Sequence, residues 1–100
     1  MSQDLQGALN ILRSHEADLR ERGVAHAAVF GSVARGDARA DSDLDVLIEL
    51  DENRAMGVFE YASLTLYIHE LFGRQTDVVN RRTLKPLLRA SILHDAVHAF

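Results

Sequence analysis

The spacing of apolar residues near the start of the chain predicts an amphipathic helix from Ser2 to Arg22. Its leucines share one face at helical spacing, and Glu16 is the single polar interruption on that face. Ser2 is suited to cap the start of this helix, and Gly23 is suited to end it. We expect the leucine face to pack on a sheet.

Three later segments predict β-strands, and the end of the chain is ambiguous. Val24 to Phe30 is apolar except for His26, as a buried strand is, and we assign that histidine no catalytic role. Leu44 to Leu50 alternates apolar and acidic residues, which is typical of a half-buried strand. Thr76 to about Val79 predicts a short third strand. Ala96 to Phe100 is either a final strand or a tail.

The second half of the chain predicts two further helices. Val58 to Phe72 carries two apolar stripes at helical spacing, and one of them is expected to cover the sheet. The second stripe consists of Phe59, Ala62 and Leu66. For that stripe a place in the core is favoured, and a contact surface for a partner or for a second copy of the chain is the alternative. The last helix is expected to begin at Lys85 and Pro86, to end near His94, and to direct inward Leu87, Leu88, Ile92 and Leu93.

Length and composition indicate one small globular domain spanning residues 1–100. With 47% hydrophobic and 26% charged residues, the chain has the composition of an ordinary soluble protein with a modest core. Its 15 acidic residues outnumber its 11 basic residues, giving a formal net charge of -4. This balance argues against direct binding of nucleic acid, which normally needs a basic surface. A domain this small leaves room for a homo-oligomer.

The absence of cysteine excludes disulfides and thiolate metal sites. It suits a cytoplasmic location. The first ten residues are polar and lack the apolar centre of a signal peptide, and no apolar run is long enough to span a bilayer. We therefore expect no association with a membrane.

Asp43 and Asp45 are the first candidates for chemistry. Side chains two positions apart on a strand project to the same face, so these two carboxylates are expected to lie side by side. Their mutual repulsion is commonly relieved by a hard divalent cation such as Mg²⁺, which often takes phosphate oxygens as further ligands.

The segment between the first two strands carries residues suited to phosphate. Gly31 permits a tight turn and close approach of a ligand, and Ser32 offers a hydroxyl and an amide. Arg35 is suited to a phosphate oxygen, and Gly36 closes the loop. With the carboxylates, these residues predict a site for a metal-bound nucleoside triphosphate. The other acids of the loop are interpreted as solvated, and Ser42 is expected to bond the local backbone.

These residues carry a resemblance to a known family. The chain resembles the polymerase-beta-type nucleotidyltransferase superfamily in having Gly31 and Ser32, ten intervening residues, and then Asp43, Leu44 and Asp45, with Arg35 and Gly36 inside the spacer. At this length it is most similar to the minimal nucleotidyltransferases of bacteria and archaea. The resemblance implies an α+β (mixed α/β) fold, with a mixed sheet of about four strands packed against helices.

The resemblance also implies a mechanism and a partner. Asp77, on the third predicted strand, matches a third carboxylate that completes a site for two Mg²⁺ ions with Asp43 and Asp45. ATP would be the nucleotide, bound by Gly31, Ser32, Arg35 and Gly36. AMP would pass to a tyrosine of a HEPN-type toxin, so that the chain would act as its antitoxin.

Two questions stay open at this stage. The chain is either such an enzyme or a binding module that neutralises a partner by contact through the helix from Val58 to Phe72. The basic stretch from Arg81 to Arg89 is a solvated face, a phosphate contact or a surface for an acidic partner.

Overall fold

A four-stranded mixed sheet carries helices on both faces in the computed structural model, which describes residues 3–100. The strands are β1 (Val24–Phe30), β2 (Leu44–Leu50), β3 (Thr76–Asn80) and β4 (Val97–His98). The helices in this range are α1 (Gln3–Ser14), α2 (Glu16–Glu21), α3 (Gly31–Arg35), α4 (Val58–Phe72) and α5 (Pro86–Asp95), with a 3₁₀ turn at Arg81–Thr83. None of these described helices is long and apolar enough to cross a membrane. The predicted α+β fold is confirmed.

The order of strands across the sheet is β3-β2-β1-β4. β1 pairs antiparallel with both β2 and β4, whereas β2 and β3 are parallel. A parallel pair needs a crossover connection, and α4 provides it between β2 and β3. As a result, β2 and β3 begin at the same end of the sheet, and β1 finishes there. Of the two alternatives for the end of the chain, the strand is correct.

The main core lies between one face of the sheet and helices α1, α2 and α4. Alternate residues of β2 point into it, and the largest side chains that it buries completely include Leu12, Leu19, Leu44, Ile48, Leu64 and Ile68. On the opposite face, α5 covers a smaller cluster in which Ile92 and Leu93 pack against Ala28, Phe30 and Leu47. The sheet is therefore buried in its centre on both faces, and polar side chains of the second face are left at its two ends.

The single first helix that the sequence predicts is wrong, because the chain breaks at His15. The hydroxyl of Ser14 donates to the carbonyl of Asn10 at 2.7 Å, and Nδ1 of His15 donates to the carbonyl of Ile11 at 2.9 Å. Such local bonds compete with the helical pattern of the backbone and bend or end a helix. The predicted cap at Ser2 lies outside the described residues.

The second stripe of α4 is exposed, so its favoured place in the core is wrong. Phe59 is 91% exposed and Leu66 is 57% exposed, whereas Leu64 on the other side of the helix is buried. The sheet occupies only one side of α4, and no other described layer covers the opposite side. In α5, Leu87 and Leu88 are exposed rather than inward, because the helix packs on the sheet through its later residues Ile92 and Leu93.

Two leucines of α4 give a matched test of this packing. Leu64→Ala removes a fully buried side chain and should lower the free energy of unfolding by about 2–5 kcal/mol. Leu66→Ala changes the same residue type on the exposed stripe and should alter it by less than about 0.5 kcal/mol. Urea unfolding of both variants measures the difference, and equal losses would contradict the orientation of α4.

Candidate active site

Two carboxylates lie opposite each other where β2 and β3 begin. Asp45 and Asp77 are register partners in the parallel pair. Paired residues of neighbouring strands direct their side chains to the same face, so the pairing brings these two acids together. Asp43 precedes β2 by one residue and reaches the same end of the sheet. Asp45 is half-buried, while Asp43 and Asp77 are exposed.

The surroundings of Asp45 disfavour its charge. Burial raises the pKa of its carboxyl, and the negative charges of Asp77 and then Asp43 raise it further. The guanidinium of Arg35 acts in the opposite direction. The ionised site is therefore electrostatically strained, and a cation would relieve that strain.

Gly31 lies directly against this carboxylate. It follows Phe30, the register partner of Asp45, and has a φ of +72°. A Cβ atom built on Gly31 would overlap Oδ2 of Asp45. Glycine is thus required here both for the left-handed backbone and for the close approach. The structure brings the predicted glycine and the predicted carboxylate into contact.

Ser32 and Gly36 lie at the two ends of α3. Ser32 is half-buried next to Gly31, and its hydroxyl has no hydrogen-bond partner among residues 3–100. Gly36 ends the helix with a φ of +82°, and a Cβ atom built on it would meet nothing within 4 Å. Gly31 lies against Asp45, and Gly36 is five residues after Gly31, which is roughly 7 Å along the axis of α3. Ser32 is therefore the nearer of the two to the carboxylates.

Arg35 is held by two carboxylates. Its Nη1 donates to Asp95 at 2.8 Å, and its Nε donates to Asp37 at 3.2 Å. Both interactions raise the pKa of the guanidinium, Asp95 most strongly. Asp95 is 60 positions from Arg35 and was not predicted from the sequence as a site residue. The one available signal was an acidic residue at the C-terminal end of a predicted helix, where acids are unfavourable.

The loop that leads into β2 is fixed by polar contacts. The amide of Arg39 donates to the hydroxyl of Ser42 at 2.8 Å, so the predicted local bond is confirmed. Nη2 of Arg74 donates to the carbonyl of Ser42 at 2.8 Å, and the amide of Leu44 donates to the carbonyl of Gln75 at 3.0 Å. Arg74 lies two residues before β3, secures the approach to Asp43, and was not predicted from the sequence as a site residue.

The basic stretch lies away from the carboxylates. Nη1 of Arg81 forms an ion pair with Glu49 at 2.6 Å, at the end of the sheet where β2 and β3 finish. Arg81 is four positions after Asp77, which is about 13 Å along a strand. This position favours the solvated face or a partner surface over a phosphate contact.

The carboxylates are suitable in chemistry for a hard cation, since all three donate oxygen. Gly31 leaves no space on one side of Asp45, so a ligand would approach from the exposed side. As they stand, however, no three His, Cys, Asp or Glu side chains in the described part of the chain form a group that could hold a metal ion.

Both the sequence and the fold are similar to those of known proteins. The family model described as a nucleotidyltransferase domain matches residues 12–98. The chain is 36% identical over 90 residues to the protein adenylyltransferase MntA of Thermococcus cleftensis, a match that covers 89% of each chain. A solved structure described as a candidate minimal nucleotidyltransferase is 39% identical, with a TM-score of 0.67, over 89% of this chain and 93% of that one.

A more distant match shares the fold. It comes from a complex of a tri-AMPylated HEPN toxin with an MNT antitoxin from Shewanella oneidensis. The TM-score is 0.63 at 13% identity, over 92% of this chain and 71% of that one.

Gly31→Ala tests the close approach to Asp45. The added methyl group overlaps the carboxylate on a left-handed backbone, so the free energy of unfolding should fall by about 2 kcal/mol or more. Gly7→Ala is the matched control, because Gly7 lies in α1 with nothing within 4 Å of an added Cβ. It should be neutral or stabilising by up to about 1 kcal/mol. Similar effects of both changes in thermal unfolding would rule out the overlap.

Asp45→Asn tests the electrostatic strain. A folded-state pKa raised above the ordinary 3.8 means that protonated Asp45 favours folding. That contribution is complete below the unfolded pKa and is lost as pH rises through the folded one. Asp45→Asn should therefore be more stable than the parent chain at pH 7, by roughly 1 kcal/mol, and equally stable near pH 3.

The control for this change is Asp41→Asn, which alters an exposed acid in the loop that leads into β2. Its effect on unfolding should stay within about 0.5 kcal/mol at both pH values. A parent chain that is more stable than Asp45→Asn at pH 7 would show that the site is not strained.

Proposed function

The chain belongs to the nucleotidyltransferase domain family, and from that membership we propose that it is a protein adenylyltransferase that moves AMP from ATP to a hydroxyl of a protein partner. The observation that carries the proposal is the pairing of Asp45 with Asp77, with Gly31 against Asp45. The similarity to the adenylyltransferase MntA supports AMP as the transferred group.

The residues of this site would divide the work between binding and proton transfer. The backbone of Gly31 and the hydroxyl of Ser32 would hold the triphosphate beside the carboxylates, with Arg35 and Gly36 at the far end of α3. The acceptor oxygen would form a bond to the α-phosphorus, and the bond from that phosphorus to the bridging oxygen of pyrophosphate would break. Asp77 is exposed and would take the proton that the acceptor loses.

Asp43, Asp45 and Asp77 would hold the divalent cation, in line with the two Mg²⁺ ions that the family resemblance implies. The cation, when bound, supplies positive charge to the phosphates and to the departing pyrophosphate. Asp43 and Asp77 are exposed, so their side chains have the freedom to turn toward Asp45. Such movement is needed because the three carboxylates do not already form a metal-binding group.

We further propose that the acceptor is a tyrosine of a HEPN-type toxin and that the chain acts as its antitoxin in the cytoplasm. The Shewanella oneidensis complex supports this proposal through its modified toxin, although the shared feature at 13% identity is the fold. A protein acceptor also agrees with the acidic balance of the chain, which disfavours nucleic acid.

One observation favours a second candidate function, a binding module that covers its partner. The stripe of Phe59, Ala62 and Leu66 on α4 is exposed and apolar, as protein contact surfaces often are. A partner or a second copy of the chain would bury it. In this alternative the carboxylates would bind nucleotide without transfer, or have no role.

Incubation of the purified chain with ATP, Mg²⁺ and a HEPN-type toxin, followed by intact mass spectrometry of the toxin, tests the proposal. The toxin should gain the mass of one or more AMP units. Asp45→Ala should lower the rate at least about 100-fold, because it removes a carboxylate at the reacting phosphate. Asp41→Ala should leave the rate within about twofold.

The same variants separate the two candidate functions. If the chain is an enzyme, the double variant Asp43→Ala with Asp45→Ala should still form a complex with the toxin but should no longer protect cells from it. Full protection by this double variant, or no gain of mass with the parent chain, would favour the binding module.

A further inference from the structure

Asp95 is an acid in an unfavourable place. It is the last residue of α5, where the helix dipole disfavours negative charge, and its side chain is only 14% exposed. A carboxylate in such a place needs a compensating cation. Nη1 of Arg35 supplies it at 2.8 Å. The contact joins α5 to α3, two helices that are far apart in sequence.

The guanidinium of Arg35 keeps one nitrogen free. Asp95 accepts from Nη1 and Asp37 accepts from Nε, while Nη2 has no hydrogen-bond partner in the part of the chain that the structure describes. Asp37 is 62% exposed and belongs to the loop that follows α3. Asp95 is thus the contact that ties Arg35 to the body of the protein. Arg35 is also near the carboxylates, because α3 begins at Gly31, which lies against Asp45. The charge of the guanidinium lowers the pKa of Asp45 accordingly.

We propose that Asp95 is a positioning residue that fixes Arg35 through Nη1, so that the free Nη2 is directed at the triphosphate of ATP. The proposal rests on the proposed function and adds to it a residue outside the family pattern. α5 is suited to this role because Ile92 and Leu93, in its last turn, anchor it on the sheet. The carboxylate is therefore carried on a packed element, whereas Asp37 is carried on a loop.

Loss of Asp95 would have two opposite effects on the binding of ATP. It would leave the charge of Arg35 less neutralised, which favours an anion. It would also release a long side chain that must then be ordered by the ligand. Arg35 is 48% exposed, so solvent screens the first effect, and we expect the second to dominate.

A double-mutant cycle on the binding of ATP tests the proposal. The dissociation constant of ATP with Mg²⁺ is measured by calorimetry for the parent chain, Asp95→Ala, Arg35→Ala and the double variant. Asp95→Ala and Arg35→Ala should each weaken binding about tenfold, and the double variant should bind no more weakly than Arg35→Ala. An effect of Asp95→Ala that persists without Arg35 would overturn the proposal, as would unchanged or tighter binding.

Kinetics of AMP transfer provide a readout that a merely structural role would not produce. Asp95→Ala should raise the KM for ATP about tenfold and leave kcat within about threefold. Asp95→Asn keeps the shape of the side chain and an acceptor oxygen, so its KM for ATP should lie between those of the parent chain and Asp95→Ala. It replaces the alanine variant if that variant does not fold. Asp37→Ala should change the KM less than Asp95→Ala does, and a larger change would overturn the assignment.

The two levels of the hypothesis fail in different ways. A parent chain that neither binds ATP nor transfers AMP would overturn the proposed function together with this inference. A parent chain that does both, with Asp95→Ala indistinguishable from it, would overturn only the role of Asp95.

Discussion

The parallel pairing of β2 with β3 is the constraint on which the rest of the structure depends. It places Asp45 opposite Asp77, and it does so only because α4 crosses between the two strands. That crossover is stabilised by Leu64 and Ile68, which are buried on the opposite face of the sheet. The burial of apolar side chains on one face thus offsets the repulsion between carboxylates on the other. The same strands therefore carry the core on one face and the candidate site on the other.

The same pairing explains why a glycine must follow β1. Phe30 is the register partner of Asp45, so the next residue turns directly past the carboxylate. Any side chain there would occupy the space of Asp45, and the left-handed backbone of Gly31 adds a second reason. Gly31 and Asp45 therefore constrain each other sterically, although 13 other residues separate them in the sequence.

Strong periodicity made the bounds of β1, β2 and α4 predictable, and the fixed spacing from Gly31 to Asp45 made the centre of the site predictable. Features that depend on distant or competing contacts were not predictable. The break at His15 follows from side-chain bonds to the backbone, and the exposure of Phe59 depends on which layers surround α4. Periodicity identifies an apolar stripe but not what covers it. The contact between Arg35 and Asp95 gives no local signal in the sequence, because the two residues are 60 positions apart.

The electrostatics of the site bear on the choice between an enzyme and a binding module. A module that acts only by covering its partner has no use for three neighbouring carboxylates, one of which is half-buried with a raised pKa. Neutral residues at these positions would remove the repulsion and leave the exposed stripe of α4 unchanged. Unfavourable charge that is concentrated in one place is typical of functional sites, where stability is lower than the fold allows. The strain at Asp45 therefore favours the enzyme over a module that acts by contact alone.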